Sequence, residues 1–214
     1  MDTTKVVVVT GGVQGIGKAI CEAFVARGAT VCSIDVQENS SFTGDIADEA
    51  TLRAFSAKVL AEHGGVDYLI NNACLSRGGL NTCSYEDFNY VLRVGVVAPF
   101  FLTQLFNNHF RPQASIVNIS STRHLMSQAD TESYTTAKGG ITALTHAMAI
   151  TLAGKVRVNS ISPGWIDTTD TEFSGPDASQ HPVGRVGTPQ DIVNAVLFLC
   201  DPKKQFYYRP EHHD

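Results

Sequence analysis

A chain of 214 residues is long enough to bury one full core and is read as a single domain. Apolar residues make up 43% and charged residues 17%, the balance of a soluble globular protein. The net charge of −5 argues against nucleic acid or an anionic membrane as partner, no apolar run reaches bilayer length, and MDTTKVVVVT lacks a signal-peptide layout.

In chain order, VVVVT (6–10) predicts a buried strand from its unbroken β-branched run. Helix follows over 15–27, closed by Gly28, then strand over 29–35 (ATVCSID). The pattern repeats as helix 48–63, strand 67–71, helix 85–108, strand 114–120, helix 133–153, strand 156–162 and helix 189–200. Ser84 with Asp87, and Thr188 with Pro189 and Asp191, are helix-start signals. Strand–helix alternation predicts an α/β fold, a three-layer doubly wound parallel sheet of Rossmann type. Cys21, Cys32, Cys74, Cys83 and Cys200 are odd in number and scattered, so free thiols in a reducing cytoplasm are expected. No metal site is expected; the terminal pair His212 and His213 has no spaced third ligand.

TGGVQGIG (10–17) joins the first strand to the first helix, the context that makes a glycine cluster a dinucleotide fingerprint. Gly11 permits the turn, Gly15 lets backbone approach a pyrophosphate, and Gly17 allows close helix–strand packing. Asp35 ends the second strand, where an acid accepts from the adenosine ribose hydroxyls and repels a 2′-phosphate. Val36 and Gln37 follow it and no arginine stands in the turn, so NAD is expected in preference to NADP. YTTAK sets Tyr134 and Lys138 one helical turn apart on one face.

With these motifs, the chain resembles the short-chain dehydrogenase/reductases, in their shorter single-domain branch. GDIAD around Asp45, NNA at 71–73, SIVNISS ending at Ser121, YTTAK, and NSISPGWIDT (159–168) carry the likeness, which extends over about residues 5–200. It implies hydride transfer between a nicotinamide and a secondary alcohol or carbonyl. Ser121, rather than Ser120, has the family's spacing to the tyrosine, so Ser121, Tyr134 and Lys138 are the expected catalytic set. A cation favours a phenolate, so Lys138 is expected to lower Tyr134 from its ordinary value near ~10 and make it the general acid/base. The resemblance puts Asp45 at the adenine edge, Asn71 and Ala73 on the adenosine side, and Thr168 with Ile166 at the nicotinamide amide. Gln14, Ile16, Ile46, Pro163 and Gly164 complete the expected cofactor contacts, with Tyr134 and Lys138. An NAD-binding sensor or scaffold with little turnover is the alternative.

The chain departs from the family in three places. Gly95 stands where a helix asparagine is usual; water alone, another side chain or a weakened relay could take over. Cys74 replaces a glycine after NNA. The tail CDPKKQFYYRPEHHD (200–214) is atypical within a single NAD-binding domain of 1–214. Dropping one adenine from a coding sequence for that tail yields KSSFITGQNITI, so a frameshift product that lacks the last edge strand is expected. A homodimer through the helices 85–108 and 133–153 is then expected, with tetramer formation impaired. The segment 168–182 is expected to form a substrate lid, Met126 to add apolar lining, and Arg123 and His124 either border the pocket or sit in a solvated loop. The partner is a small alcohol or ketone.

Overall fold

The computed structural model describes residues 4–169, 176–179 and 181–204. The first strand, β1 (Val6–Thr10), is buried throughout. It leads into α1 (Gly15–Val25), β2 (Thr30–Asp35), a two-residue β3 (Phe42–Thr43) and α2 (Glu49–His63). Next come β4 (Val66–Asn71), α3 (Tyr85–Leu92), a π-helical stretch over Arg93–Val97 and α4 (Ala98–Phe106). The chain continues through β5 (Phe110–Ile119), α5 (Glu132–Thr151), β6 (Arg157–Ile161), the short α6 (Pro176–Ser179) and α7 (Pro189–Cys200). Among the described residues the strands form one parallel sheet of order β3-β2-β1-β4-β5-β6.

Strand pleat sorts the core into two layers, because successive side chains point to opposite faces. Val6 and Val8 of β1 face a layer built from Leu52, Phe55 and Val59 of α2, Leu102 and Phe106 of α4, and Met148 of α5. Val7 and Val9 face Ile20 and Phe24 of α1 with Ile192, Val193 and Val196 of α7. Helices on both faces leave the strands nearly continuous hydrophobic runs, as a parallel sheet requires. The order reverses direction between β1 and β4, which opens a crevice at the carboxyl ends of those strands.

The expected strands and helices all form, with ends moved by a few residues. Gly28 and Gly64 end α1 and α2 with positive φ, +76° and +72°. Ser84 accepts from the Asp87 amide at 3.0 Å, and Asp191 accepts from the Thr188 amide at 2.8 Å. Two features lie beyond the expectation. The pair Phe42–Thr43 adds an outer strand to β2. The helix expected over 85–108 passes through a π turn at Arg93–Val97. Together Tyr85–Phe106 are long and apolar enough, by composition, to cross a membrane, which run-by-run reading did not reveal. In the fold this stretch buries Val91, Val94, Ala98, Leu102 and Phe106 against the sheet and its neighbours, as a core helix does. The tail expected to lack the last edge strand lies, over 205–214, outside the described residues; among the described residues the sheet ends at β6.

All five cysteines are free. Burial pushes the Cys200 thiol from 9.0 up to about 12. Burial, aided by Glu22, lifts Cys21 to about 11, and burial raises Tyr68 from 10.0 to about 12. A raised folded pKa means that the stabilisation is complete below the unfolded value and is lost as pH climbs through the folded one. The urea midpoint should therefore hold up to pH about 9 and fall steadily toward pH about 12. In Cys200→Ala the alkaline slope should be shallower than in the parent.

Candidate active site

The C-terminal ends of the strands deliver the predicted residues to two adjoining cavities. The glycine turn after β1 is held by steric demand. A Cβ on Gly17 would lie 1.9 Å from the Gly11 carbonyl oxygen, so only glycine lets α1 start this close to the turn. Gly15 adopts φ +53°, and a Cβ there would meet Thr168 Cγ2 at 3.2 Å. The result is bare backbone at the start of a helix, facing a cavity of about 620 Å³. Gly11, Gln14, Gly15, Ile16, Asp35, Asp45, Ile46, Ala73 and Thr168 all line it. Gly17 does not; its role is packing.

The Asp35 carboxylate is buried at the end of β2 and accepts from the amides of Val13 and Gln37, each at 3.1 Å. One oxygen of Asp45 accepts from the Ala47 amide at 2.8 Å and the other from the Tyr90 hydroxyl at 3.0 Å. Asn71 needs correction. It lies buried at the end of β4, in register with Asn118, and its amide donates to the Asn118 side chain at 2.7 Å. Asn118 donates in turn to Thr145 at 2.8 Å. That pairing ties β4 to β5 and α5, and Asn71 is off the cavity wall. The next residue, Asn72, takes the wall position; it donates to the carbonyls of Thr10 and Gly11 at 3.1 and 3.0 Å and lines both cavities. Strand alternation is the signal that separates the two asparagines.

The second cavity, about 1150 Å³, adjoins the first along Ile16, Asn72 and Cys74. Ser121, Tyr134, Lys138, Pro163, Gly164 and Ile166 line it. Ser120 and Ser121 part at the end of β5. The Ser120 hydroxyl turns to α5, meeting the Lys138 carbonyl at 3.1 Å and Thr142 at 2.7 Å. The Ser121 hydroxyl accepts from the Arg123 amide at 3.2 Å and lines the cavity with Tyr134. Lys138 is 4% exposed; its amine donates to the Ile119 carbonyl at 2.7 Å and lies 5.3 Å from the centre of the Tyr134 ring. Serine, tyrosine and lysine therefore share one side of one cleft.

The electrostatics reverse one expectation. Burial, with Cys74 adding to it, raises Tyr134 above its ordinary value, against opposing effects of Ser121 and Arg123. Burial also lowers Lys138, opposed by its interaction with Cys74. In the protein alone the phenol is thus held protonated, because desolvation outweighs the influence of Arg123.

Of the two loop cations, Arg123 lines the cavity, whereas His124 Nδ1 is 2.6 Å from the Ser121 carbonyl and is off the wall. Met126 lines the cavity, as do Trp165 and His181, neither of which was singled out beforehand. Of the expected lid, residues 170–175 and 180 lie outside the described residues. Among the described residues no group of side chains could hold a metal ion.

Gly95 sits in the π turn, facing α5. A Cβ there would lie 2.9 Å from Ala137 Cβ and 3.4 Å from Cys74 Sγ. The sulfur and the α5 surface thus occupy the space a side chain at 95 would need. Gly95→Ala gains helix propensity of roughly 1 kcal/mol, but must push α5 away at a cost of about 1–3 kcal/mol. We expect a lower melting temperature for Gly95→Ala in a thermal scan, with reduced turnover because α5 carries Tyr134 and Lys138.

Fold and cleft together define a dinucleotide-dependent oxidoreductase of Rossmann type. A family model described as enoyl-(acyl carrier protein) reductase matches residues 11–208. An uncharacterized oxidoreductase of Thermotoga maritima is 36% identical, over 94% of this chain and 90% of that protein. The 3-oxoacyl-[acyl-carrier-protein] reductase FabG of the same organism is 30% identical, over 94% and 92%. Among solved structures, an apo SCOR enzyme from Clostridium thermocellum superposes with TM-score 0.87 at 40% identity, covering 100% of this chain and 98% of that one. A blue fluorescent protein from a metagenomic library, in complex with NADPH, gives TM-score 0.87 at 27% identity over 96% and 94%. The chain belongs to the short-chain dehydrogenase/reductase family.

Proposed function

We propose that the protein is an NAD-dependent oxidoreductase that interconverts a secondary alcohol and the corresponding ketone, with Tyr134 as general acid/base. The observation that carries this reading is the shared cavity wall of Ser121, Tyr134 and Lys138, with the Lys138 amine beneath the Tyr134 ring. The glycine cradle at the start of α1 fits a dinucleotide pyrophosphate, because side chains there would close it. When bound, NAD supplies a ring that accepts or gives a hydride and, in its oxidised form, carries a positive charge.

The chain's own residues do the rest. The Ser121 hydroxyl hydrogen-bonds the substrate oxygen and fixes it against Tyr134. In reduction, Tyr134 gives its proton to the developing alkoxide; in oxidation it takes the alcohol proton. Lys138 holds positive charge beside the phenol and presents donors toward a ribose, while Gly11, Gln14, Gly15, Ile16, Ile46, Asn72 and Ala73 form the nucleotide wall. Pro163, Gly164, Ile166 and Thr168 close the nicotinamide side. A phenol kept protonated by burial has the proton that ketone reduction needs. Tyr134→Phe should retain NAD binding and lose about 10²–10⁴ of the rate. In the parent, alcohol oxidation should climb about tenfold per pH unit in the alkaline range, with ketone reduction flat below it, as read from pH profiles of kcat/KM with saturating cofactor. Normal NAD binding with no turnover on a panel of secondary alcohols and ketones would instead favour the sensor reading.

Asp35 supports NAD over NADP. Its carboxylate is buried at the strand end, Val36 beside it is exposed, and a 2′-phosphate there would meet a like charge. NADP should bind at least about tenfold more weakly than NAD by fluorescence titration, and Asp35→Ser should narrow the gap. Exposed Val97, Phe100 and Ile150 on α5 and the helix before it support a homodimer through those helices. Free thiols throughout fit a cytoplasmic location.

A further inference from the structure

The cavity holding Ser121 and Tyr134 has an unusual charge balance. Among its described wall residues are three basic side chains, Arg123, Lys138 and His181, and no aspartate or glutamate. Lys138 is committed to the Ile119 carbonyl. Arg123 is not committed in this way. Three arginines of the described chain are half-buried: Arg111, Arg123 and Arg157. Arg111 bonds the Asp67 carboxylate at 3.0 Å and the His63 carbonyl at 2.7 Å. Arg157 bonds the Leu199 carbonyl at 2.6 Å. The Arg123 guanidinium has neither an ion pair nor a hydrogen bond among the described residues. A guanidinium offers five donors and is costly to desolvate without an acceptor.

His181 supplies a second unmatched group. Its Nε2 is shielded from solvent and has no hydrogen-bond partner among the described residues. The ring packs over Gly164, where a Cβ would lie 3.3 Å from His181 Cε1, so the missing side chain makes room for the imidazole. The cavity therefore combines a carbonyl-activating pair with spare donors and a local positive charge, on a protein whose net charge is −5. Such a patch concentrates anions that the rest of the surface repels.

We infer that the substrate carries an anionic group, a carboxylate or a phosphate, and that Arg123 binds it while Ser121 and Tyr134 hold the reacting oxygen. Arg123 is then a specificity-determining residue. The inference rests on the oxidoreductase reading above and names the substrate class for that same site. A carboxylate accepts two parallel N–H bonds from a guanidinium, which orients the substrate as well as holding it.

The test pairs each anionic ketone with a neutral counterpart: acetoacetate with methyl acetoacetate, and dihydroxyacetone phosphate with dihydroxyacetone, all with saturating NADH. In the parent, at least one anion should exceed its neutral partner in kcat/KM by about tenfold or more. In Arg123→Ala that ratio should fall by about 10–100-fold, mainly through KM of the anion, and Arg123→Lys should restore part of it. The pair that responds tells carboxylate from phosphate. Calorimetric titration of the same anions into NADH-loaded Tyr134→Phe gives a readout free of turnover, and Arg123→Ala in that background should weaken binding. Anions that neither turn over nor bind better than their neutral partners would overturn the inference, as would an anion-to-neutral ratio unchanged in Arg123→Ala. Should Tyr134→Phe turn over as fast as the parent while anion binding still depends on Arg123, the proton-transfer reading fails and the anion site stands.

Discussion

A single buried bond organises the active cleft: the Lys138 amine donating to the carbonyl of Ile119 at 2.7 Å. Ile119 is the last residue of β5, and Lys138 lies on the second turn of α5. The bond therefore sets the rotation of α5 about its axis relative to the end of the central sheet. Tyr134, one turn earlier on the same face of α5, lines the cavity together with Ser121, two residues past the strand. The cost of desolvating an ammonium makes the arrangement demanding, since it needs a strong acceptor and close packing around it. Ala137 and Gly95 provide that packing, with no room left for a Cβ on the glycine.

The same end of the sheet supplies everything else in the cleft. Parallel strands all point their carboxyl ends the same way, so the turns after β1, β4, β5 and β6 converge on one edge. At the strand-order reversal beside β1, the crevice is open enough to admit a ligand. Bare glycine backbone lines one side of it, and the segment 163–168 lines the other. The buried Asn71–Asn118–Thr145 chain stiffens the floor by joining β4, β5 and α5 through fully internal hydrogen bonds.

Cys74 links the two cavities chemically as well as spatially. It lies beside Gly95, lines both cavity walls, and acts on both Tyr134 and Lys138. Beside Gly95 the space a side chain would need is taken by Ala137 and the Cys74 sulfur. Burial, rather than the lysine, sets the direction of the Tyr134 shift in the protein alone.

The sequence by itself determined the strand and helix order and the glycine turn, and it picked out Asp35, Ser121, Tyr134 and Lys138, which the fold brings to adjoining cavity walls. These are local patterns, or fixed spacings along a single helix or turn, and local patterns survive in one dimension. Spacing to the tyrosine singled out Ser121, and in the structure the Ser120 hydroxyl is taken up by the Lys138 carbonyl and Thr142 while the Ser121 hydroxyl accepts from the Arg123 amide. Only the tertiary structure decided that Asn72 rather than Asn71 reaches the cleft, that Cys74 packs beside Gly95, and that Arg123 and His181 share a wall whose described residues include no carboxylate. Each of these depends on which surfaces meet across elements far apart in the chain, and on the desolvation that follows from their meeting.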